Sequence, residues 1–427
     1  MPRPNLFRLV NPIQEYSWGS DTVIFDAFGW PRTGAPAAEL WLGAHASAPS
    51  LVQGQVVGQH PDSSFYRMPT AGTDNEISQA GALGDLVRAN PDFMLGSAVA
   101  NEFGPVLPYL LKVLSAAQPL SLQVHPRPHV ARAGFQRENT LGLAPDSDQR
   151  NYKDAFHKPE MLIALTPFEG LCGFRRPRRT LELLAGLSGS TVASMRSALE
   201  RQPNAAGVEA ALRAALELRN RNCREELDQT IASVERVIVG RKERGERVSR
   251  GHVTAIDLAR QYPGDPGALV SLLLNRVSLE PGEAVYLAAG QIHAYLGGLG
   301  VEVMASSDNV LRAGLTPKRV DTDELMAATD FTPAAPIRPQ LRAVPGGLTQ
   351  YRSPAQEFSL LYGAVGGHAL VTQSGPRIVL CLRNALTVRT ALGEELSLSA
   401  GQSVFAPHGV GPLELIGDAA AVVAYVP

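Results

Sequence analysis

Residues 277–293 read VSLEPGEAVYLAAGQIH, and residues 396–412 read LSLSAGQSVFAPHGVGP. In both stretches apolar and polar side chains alternate up to a glycine, and strand-forming residues follow it. Aligned on that glycine, the two stretches share a second glycine eight positions later. They differ at the last position, which is His293 in the first copy and Pro412 in the second. The repeat predicts two similar β units, and only the first ends in a side chain that can bind a metal ion.

The spacing of these glycines resembles the second signature of the cupin jelly rolls, in which a histidine follows the last glycine after two residues. His293 is the matching histidine in the first copy. The resemblance implies two cupin-type jelly-roll units. Because Pro412 cannot ligate a metal, we expect the C-terminal unit to be free of metal.

The character of the sequence changes between residues 177 and 262, where glycine and proline become sparse. One apolar stripe recurs there at the 4-3-4 spacing of an α-helix and is formed by Leu227, Ile231, Val234 and Ile238. A second stripe lies within residues 208–216. The predicted fold is therefore mainly β with a helical insertion, comprising two cupin-type jelly-roll units plus an α-helical domain.

The length of 427 residues exceeds one ordinary core, because domains usually span ~100 to 200 residues. The changes in pattern predict a catalytic cupin domain in two parts, interrupted by the helices. The predicted division is residues 1–177 for the first catalytic part, 178–265 for the helical insertion, 266–330 for the second catalytic part, and 336–427 for the metal-free jelly roll.

The charges of the chain nearly cancel, with 39 basic and 41 acidic residues. No global field therefore favours nucleic acid or an anionic membrane, and any anion must be held by a local cluster of cations. The three cysteines Cys172, Cys223 and Cys381 are too few and too far apart for a disulfide framework. Since no apolar segment resembles a signal peptide or a membrane span, the prediction is a cytoplasmic protein, with a monomer as the default.

Candidate metal ligands occur in three separate segments. Residues 119–126 read PLSLQVHP, and their alternation puts Ser121, Gln123 and His125 on one face of a strand. Glu160 precedes an apolar run, and His293 ends a third strand-like stretch. A nitrogen and oxygen donor set without sulfur fits zinc, while manganese and iron stay open on ligand type.

Seven blocks, in this order along the chain, resemble the type I phosphomannose isomerases, which are zinc enzymes. The blocks are YSWGS at 16–20, AELWLG at 38–43, LLKVL at 110–114, PLSLQVHP at 119–126, NYKDAFHKPE at 151–160, GQIHAY at 290–295 and SDNVLRAGLTPK at 307–318. The resemblance implies one zinc ion per chain, with the family's four ligand positions carried over onto Gln123, His125, Glu160 and His293.

The resemblance also implies an enzyme that interconverts mannose 6-phosphate and fructose 6-phosphate. Arg312 and Lys318 are suited to the phosphate, and glycine and proline around them predict a loop. Ser121 could add a hydroxyl donor, and Lys158 could add a third cation beside Glu160.

The reaction moves a proton between C2 and C1 through an enediol, so it requires a base. Glu302 matches an acidic active-site position of the family, and His157 and Lys158 are rival candidates. Trp18 and Glu39 belong to matching blocks and are expected to face the substrate.

Two other functions fit parts of the pattern. A non-catalytic sugar-phosphate-binding protein built on two cupins would keep the cations without needing the metal ligands. An iron-dependent cupin oxygenase would use two histidines and one carboxylate, with coordination positions left open for oxygen. Metal analysis separates these from an isomerase, whereas the sequence leaves open a catabolic or a biosynthetic role.

Overall fold

A computed structural model describes residues 5–53, 81–220 and 224–427. Two antiparallel sheets, one of eleven and one of ten strands, dominate the described part of the chain, and helices accompany them. The prediction of a mainly β protein with a helical region is confirmed at this level. Cys172 and Cys381 are buried and free, while Cys223 lies outside the described residues.

The strands, numbered along the chain, are β1 (Phe7–Val10), β2 (Ile13–Gln14), β3 (Glu39–Gly43), β4 (Leu51–Val52), β5 (Gly81–Ala82), β6 (Tyr109–Ala116), β7 (Leu122–Val124), β8 (Glu160–Ala164), β9 (Phe168–Phe174), β10 (Leu274–Leu279), β11 (Ala284–Leu287), β12 (His293–Ala305), β13 (Leu311–Gly314), β14 (Gln340–Val344), β15 (Leu348–Arg352), β16 (Ser359–Val371), β17 (Arg377–Arg383), β18 (Ala385–Thr390), β19 (Glu395–Ser399), β20 (Ser403–Ala406) and β21 (Leu413–Tyr425).

The helices are α1 (Val23–Phe28), α2 (Leu83–Ala89), α3 (Pro91–Leu95), α4 (Ser97–Phe103), α5 (Pro128–Thr140), α6 (Pro177–Leu184), α7 (Ser190–Arg201), α8 (Ala205–Asn220), α9 (Arg224–Glu243), α10 (Arg250–Gln261), α11 (Gly267–Val270) and α12 (Thr322–Ala328), with short 3-10 turns at Ser271–Leu273 and His408–Val410. Among the described helices, none combines the length and hydropathy needed to cross a membrane.

The long strand β12 organises the ten-stranded sheet. It pairs with β6, β7, β8 and β9, so residues far apart in sequence become neighbours along one strand. In the eleven-stranded sheet, β21 pairs with β16, β17 and β18 in the same manner. The N-terminal strand β1 belongs to this second sheet, because Phe7 pairs with Phe405 of β20.

The two predicted apolar stripes lie on α8 and α9. Leu227 and Val234 of α9 are buried, and Ile231 and Ile238 pack against the same core at its edge. That core also contains Leu122 of β7, so the helices share apolar packing with a strand of the ten-stranded sheet.

The predicted repeat forms two strand–turn–strand units, β10 to β11 and β19 to β20, whose strands pair with other strands of their sheets. The shared first glycine takes a left-handed conformation in both, with φ of 87° at Gly282 and 80° at Gly401. Glycine adopts such a φ without the steric penalty that other residues meet, which explains why both turns contain it.

An acidic residue in one sheet and a basic residue in the other occupy equivalent positions in the strand register. Leu287 of β11 pairs with Glu160, and Ala406 of β20 pairs with Arg377. Leu287 and Ala406 each lie five residues after the aligned glycine, so Arg377 takes the position that Glu160 has in the first unit. The guanidinium of Arg377 is fully buried.

Carbonyl oxygens, not a carboxylate, accept the hydrogen bonds of this buried cation. Arg377 donates to the carbonyls of Gln373 at 3.0 Å, Gly411 at 2.6 Å and Pro407 at 2.5 Å. Burial lowers its pKa to about 10, which still leaves the group charged at neutral pH. The side chain thus supplies an internal positive charge that neighbouring dipoles stabilise.

We predict that Arg377→Met lowers the free energy of unfolding by roughly 2–4 kcal/mol, because buried carbonyl groups lose their donors. Urea unfolding measures the change. Arg383→Met is the matched control, since Arg383 is exposed on the same strand and should change stability by less than about 0.5 kcal/mol. Equal stability of the two variants would contradict the assigned role.

Candidate metal centre

Three strand ends bring two imidazoles and a carboxylate together. His125 follows β7, Glu160 begins β8, and His293 begins β12. All three are buried, and one potential ligand atom from each lies within 4.8 Å of the others. His293 was expected to end a strand, which is wrong: it opens β12, and its backbone pairs with Gln123 of β7.

Backbone carbonyls orient both imidazoles. The Nδ1 of His125 lies 2.6 Å from the carbonyl oxygen of Asn309, and the Nδ1 of His293 lies 3.0 Å from that of Gln291. A carbonyl only accepts, so each Nδ1 must be the donor, which leaves each Nε2 with a free lone pair. These Nε2 atoms lie 3.2 Å and 3.4 Å from the two oxygens of Glu160.

The electrostatics of the cluster suit a metal ion. Burial lowers the pKa of His125 to about 4, so its ring is neutral at pH 7 and can act as a ligand. Burial alone would raise the pKa of Glu160, but the positive charge of Lys158 acts to lower it. Among the described residues the buried Nε2 of His125 makes no hydrogen bond. An orphaned acceptor aimed at a carboxylate is the arrangement that a bound cation resolves.

The side chain of Asn309 ties the loop before β8 to this centre. Its Oδ1 accepts from the backbone of Lys153 at 2.7 Å, and its Nδ2 donates to the carbonyl of Phe156 at 2.8 Å. Since the carbonyl of Asn309 also holds His125, one fully buried residue links the loop that leads to Glu160 with the orientation of the first imidazole.

A cavity of about 600 Å³ opens beside the cluster. Most of the side chains proposed from the sequence line it, and these are Trp18, Glu39, Ser121, Gln123, Lys158, Glu160, His293, Glu302, Arg312 and Lys318. The volume is that of an ordinary small-molecule site. Five strands, which are β3, β7, β8, β12 and β13, and four loops therefore contribute these side chains to one space.

His157 is not among the residues that line this cavity. Its Nε2 lies 2.5 Å from a carboxylate oxygen of Glu357, which precedes β16. The adjacent Lys158 points the other way, and its ammonium is 3.4 Å from Glu160. The geometry brings Lys158 to the cluster and directs His157 towards the second sheet.

Arg312 lies on strand β13 and not on the predicted loop, because its backbone pairs with Gln123 of β7. The strand ends at Gly314, so the nearby glycine and proline limit its length but do not prevent it from forming. In the described part of the chain, the guanidinium of Arg312 makes no hydrogen bond or ion pair, and burial lowers its pKa. Lys318 is exposed on the loop that follows. The cavity thus offers a cation that forms no ion pair with any residue the structure describes.

Lys112 and Tyr295 are site residues that the sequence reasoning missed. Lys112 lies 3.3 Å from Glu39 and 3.2 Å from Glu302, and the hydroxyl of Tyr295 donates to Glu302 at 2.6 Å. Trp41 donates its indole N–H to Glu39 at 2.7 Å. A lone charge inside the apolar run at residues 110–114 was the available signal for Lys112.

The carboxylate of Glu302 has a perturbed acidity. Burial raises its pKa, while Lys112 and the hydroxyl of Tyr295 act to lower it. Burial lowers the pKa of Lys112, but Glu39 and Glu302 raise it above its ordinary value, so the ammonium stays charged. A buried carboxylate poised between these influences is typical of a general base.

Comparison with known proteins gives the family of this chain. Residues 6–177 match the phosphomannose isomerase type I catalytic domain. The mannose-6-phosphate isomerase of Escherichia coli is 35% identical over 415 residues, which cover 96% of this chain and 97% of that protein. The human one is 31% identical, covering 86% of this chain and 84% of that protein. The chain belongs to the mannose-6-phosphate isomerase family.

Solved structures of the mannose-6-phosphate isomerase family resemble the whole fold. A crystal structure bound with zinc and yttrium superimposes with a TM-score of 0.84 at 32% identity, covering 99% of this chain and 100% of that one. A zinc-bound structure matches with a TM-score of 0.83 at 33% identity. The predicted resemblance is thereby confirmed, and the buried cluster lies in a protein whose relatives were crystallised with zinc.

We predict that His293→Ala lowers the affinity for metal at least about 10-fold, since it removes one donor of a nitrogen and oxygen shell. Elemental analysis of protein purified without added metal measures the loss. His129→Ala is the control, because His129 is exposed on α5. A His293→Ala protein with full metal content would show that the ion binds elsewhere.

Proposed function

We propose that the protein is a zinc-dependent aldose-ketose isomerase that interconverts mannose 6-phosphate and fructose 6-phosphate. The observation that carries this proposal is a cavity lined by Glu160 and His293 of the buried cluster with His125 and by the guanidinium of Arg312, which no described residue pairs. Membership of the mannose-6-phosphate isomerase family supplies the reaction.

The residues that would hold the zinc ion are His125, Glu160 and His293, with Gln123 as the fourth ligand. Gln123 lines the cavity and pairs with both His293 and Arg312, which supports its role. Bound zinc supplies a Lewis acid that polarises the oxygen atoms at C1 and C2 of the open-chain sugar. An amide at the fourth position adds no negative charge, so the ion keeps more of its acidity.

The charged substrate is bound by local cations, because the net charge of the chain is only −2. Arg312 and Lys318 line the same cavity, and Ser121 adds a hydroxyl group. A guanidinium presents two parallel N–H donors to phosphate or carboxylate-like oxygens, and an ammonium acts as a mobile point charge. We assign Lys318 and Ser121 to the phosphate, and Arg312 to the reacting end or the phosphate.

Glu302 is our choice for the base that moves the proton between C1 and C2. Its buried carboxylate, the charge of Lys112 and the hydroxyl of Tyr295 form a unit suited to accept and return a proton. Lys158 remains a rival, and its ion pair with Glu160 also suits it to stabilising negative charge on the enediolate oxygens. His157 is the third candidate, although it faces Glu357.

Two further residues are proposed to contact the sugar. Trp18 lines the cavity and stacks on Tyr16 with ring centroids 5.7 Å apart, so it offers a flat apolar surface. Glu39 lines the same cavity with its carboxylate held by Trp41 and Lys112. Such held groups can orient sugar hydroxyls at little cost in conformational entropy.

We further propose that the two sheets are cupin-type jelly rolls and that α6 to α10 form an inserted domain. The division into residues 1–177, 178–265, 266–330 and 336–427 remains part of this proposal. It is supported by the matching strand–turn–strand units and by the five consecutive helices between Pro177 and Gln261. A cytoplasmic monomer that binds neither nucleic acid nor membranes is the expected state.

The direct test is an isomerase assay coupled to oxidation of the product. The purified protein should convert mannose 6-phosphate, lose activity on treatment with a chelator, and recover it when zinc is restored. A protein that binds sugar phosphate without turnover would instead be the non-catalytic bicupin. Activity that depends on iron and oxygen would indicate the oxygenase.

We predict that Tyr295→Phe moves the acid limb of the kcat profile to higher pH. The base must be ionised, and the lost hydrogen bond had lowered the pKa of Glu302, so its removal leaves less carboxylate at acidic pH. Turnover on that limb should fall about 3- to 10-fold. Tyr262→Phe is the control, because the Tyr262 hydroxyl donates to Pro119 in the same cavity wall. Equal profiles for both variants would remove Glu302 from the role of base.

A further inference from the structure

The loop after β13 carries Lys318 and has an unusual backbone. Leu315 takes a φ of 55°, which non-glycine residues rarely adopt, and its side chain is buried. Gly314, immediately before it, has a φ of 150°. Such a conformation persists only where surrounding contacts hold it, and it often marks a functional site.

Asp265 makes the contacts that hold this backbone. Its Oδ2 accepts from the backbone N–H of Thr316 at 3.2 Å, and its Oδ1 accepts from Gly267 at 2.8 Å. The hydroxyl of Thr316 in turn accepts from the backbone N–H of Lys318 at 3.1 Å. A short chain of hydrogen bonds therefore runs from one carboxylate to the backbone of the cationic residue.

A guanidinium from the helical segment fixes that carboxylate. Arg219 of α8 donates to the Oδ2 of Asp265 and forms an ion pair with it. Asp265 is buried, so the pair is only partly screened by solvent. The helices are thereby connected through Asp265 to a loop of the proposed substrate site.

Close packing also fits the loop to this segment. A Cβ atom added to Gly314 would lie 2.9 Å from the Oδ1 of Asp265 and 2.8 Å from the Cα of Gly267. No side chain fits at this contact, so the turn rests directly on the backbone around Asp265.

A second cavity, of about 360 Å³, lies behind the loop. Arg219, Asp265 and Thr316 line it, and Thr316 also lines the substrate cavity. Because Thr316 borders a cavity on each side, side-chain packing alone does not fix the backbone of the loop at this residue. The hydrogen bond from Thr316 to Asp265 therefore contributes more to holding that backbone in place.

We infer that Asp265, held by Arg219, is a positioning residue that fixes the loop Gly314–Lys318 and so places the ammonium of Lys318 for the substrate phosphate. The inference rests on the proposed function, because it requires Lys318 to bind that phosphate. The helical segment then supports the phosphate end of the site through Arg219 and Asp265.

The test is steady-state kinetics of zinc-loaded variants on mannose 6-phosphate. Asp265→Asn keeps the size of the side chain but loses its charge, and it should raise KM about 10-fold with kcat changed less than about 2-fold. Arg219→Ala should raise KM in the same direction, and Arg219→Lys should restore part of the loss. Asp228→Asn is the matched control, since Asp228 pairs with Arg224 on the surface of α9. Zinc content and the thermal midpoint are measured on the same samples.

Lys318→Ala tests whether Asp265 changes KM by way of Lys318. If Asp265 acts through Lys318, the double variant should have a KM no higher than that of Lys318→Ala alone. A rise in KM for Lys318→Ala without one for Asp265→Asn would overturn the inference and leave the proposed function intact. Additive effects in the double variant would also overturn it. If Lys318→Ala left KM unchanged, the phosphate role of Lys318 would fail, and the inference with it.

Discussion

The buried carboxylate of Glu160 is the constraint on which the site depends. An ionised carboxylate away from water is costly unless positive charge lies close to it, and here the ammonium of Lys158 is 3.4 Å from Glu160. Burial keeps His125 neutral, so its ring faces the carboxylate as a potential metal ligand and not as a cation. A metal ion held by His125, Glu160 and His293 would add further positive charge. The strand ends that meet at this point explain why β7, β8 and β12 must pair in one register.

The second sheet meets the same constraint with the opposite charge. At the position equivalent to Glu160 it has Arg377, whose guanidinium is satisfied by carbonyl oxygens. If the two sheets are copies of one β unit, as we propose, an internal cation takes the place of the metal-binding carboxylate in the second copy. That copy also has Pro412 where the first has His293, so at least two positions separate a chemical site from a structural element.

The sequence predicted features that depend on local periodicity. The stripe through Leu227 and Val234 predicted α9, and the repeated glycines predicted the two turns between strands, because both signals lie within a few residues. It missed Lys112 beside Glu302, since that contact depends on the register between β6 and β12, almost two hundred residues apart. Arg312 was expected on a loop for a related reason: pairing with β7 makes β13 a strand, and no local signal announces the partner.

The site has two ends with different mechanical supports. The metal end is built from strand termini and backbone carbonyls, which leave His125 and His293 little freedom to move. The proposed phosphate end lies on a loop whose backbone is bonded to Asp265, and Asp265 pairs with Arg219 of the helices. Chemistry at C1 and C2 requires donors fixed to within a fraction of an ångström, whereas a phosphate must enter and leave in every turnover. In this proposal the rigid sheet holds the groups that act on the reacting carbons. The loop supported by Asp265 holds the group that binds the phosphate, so different parts of the fold meet the two requirements.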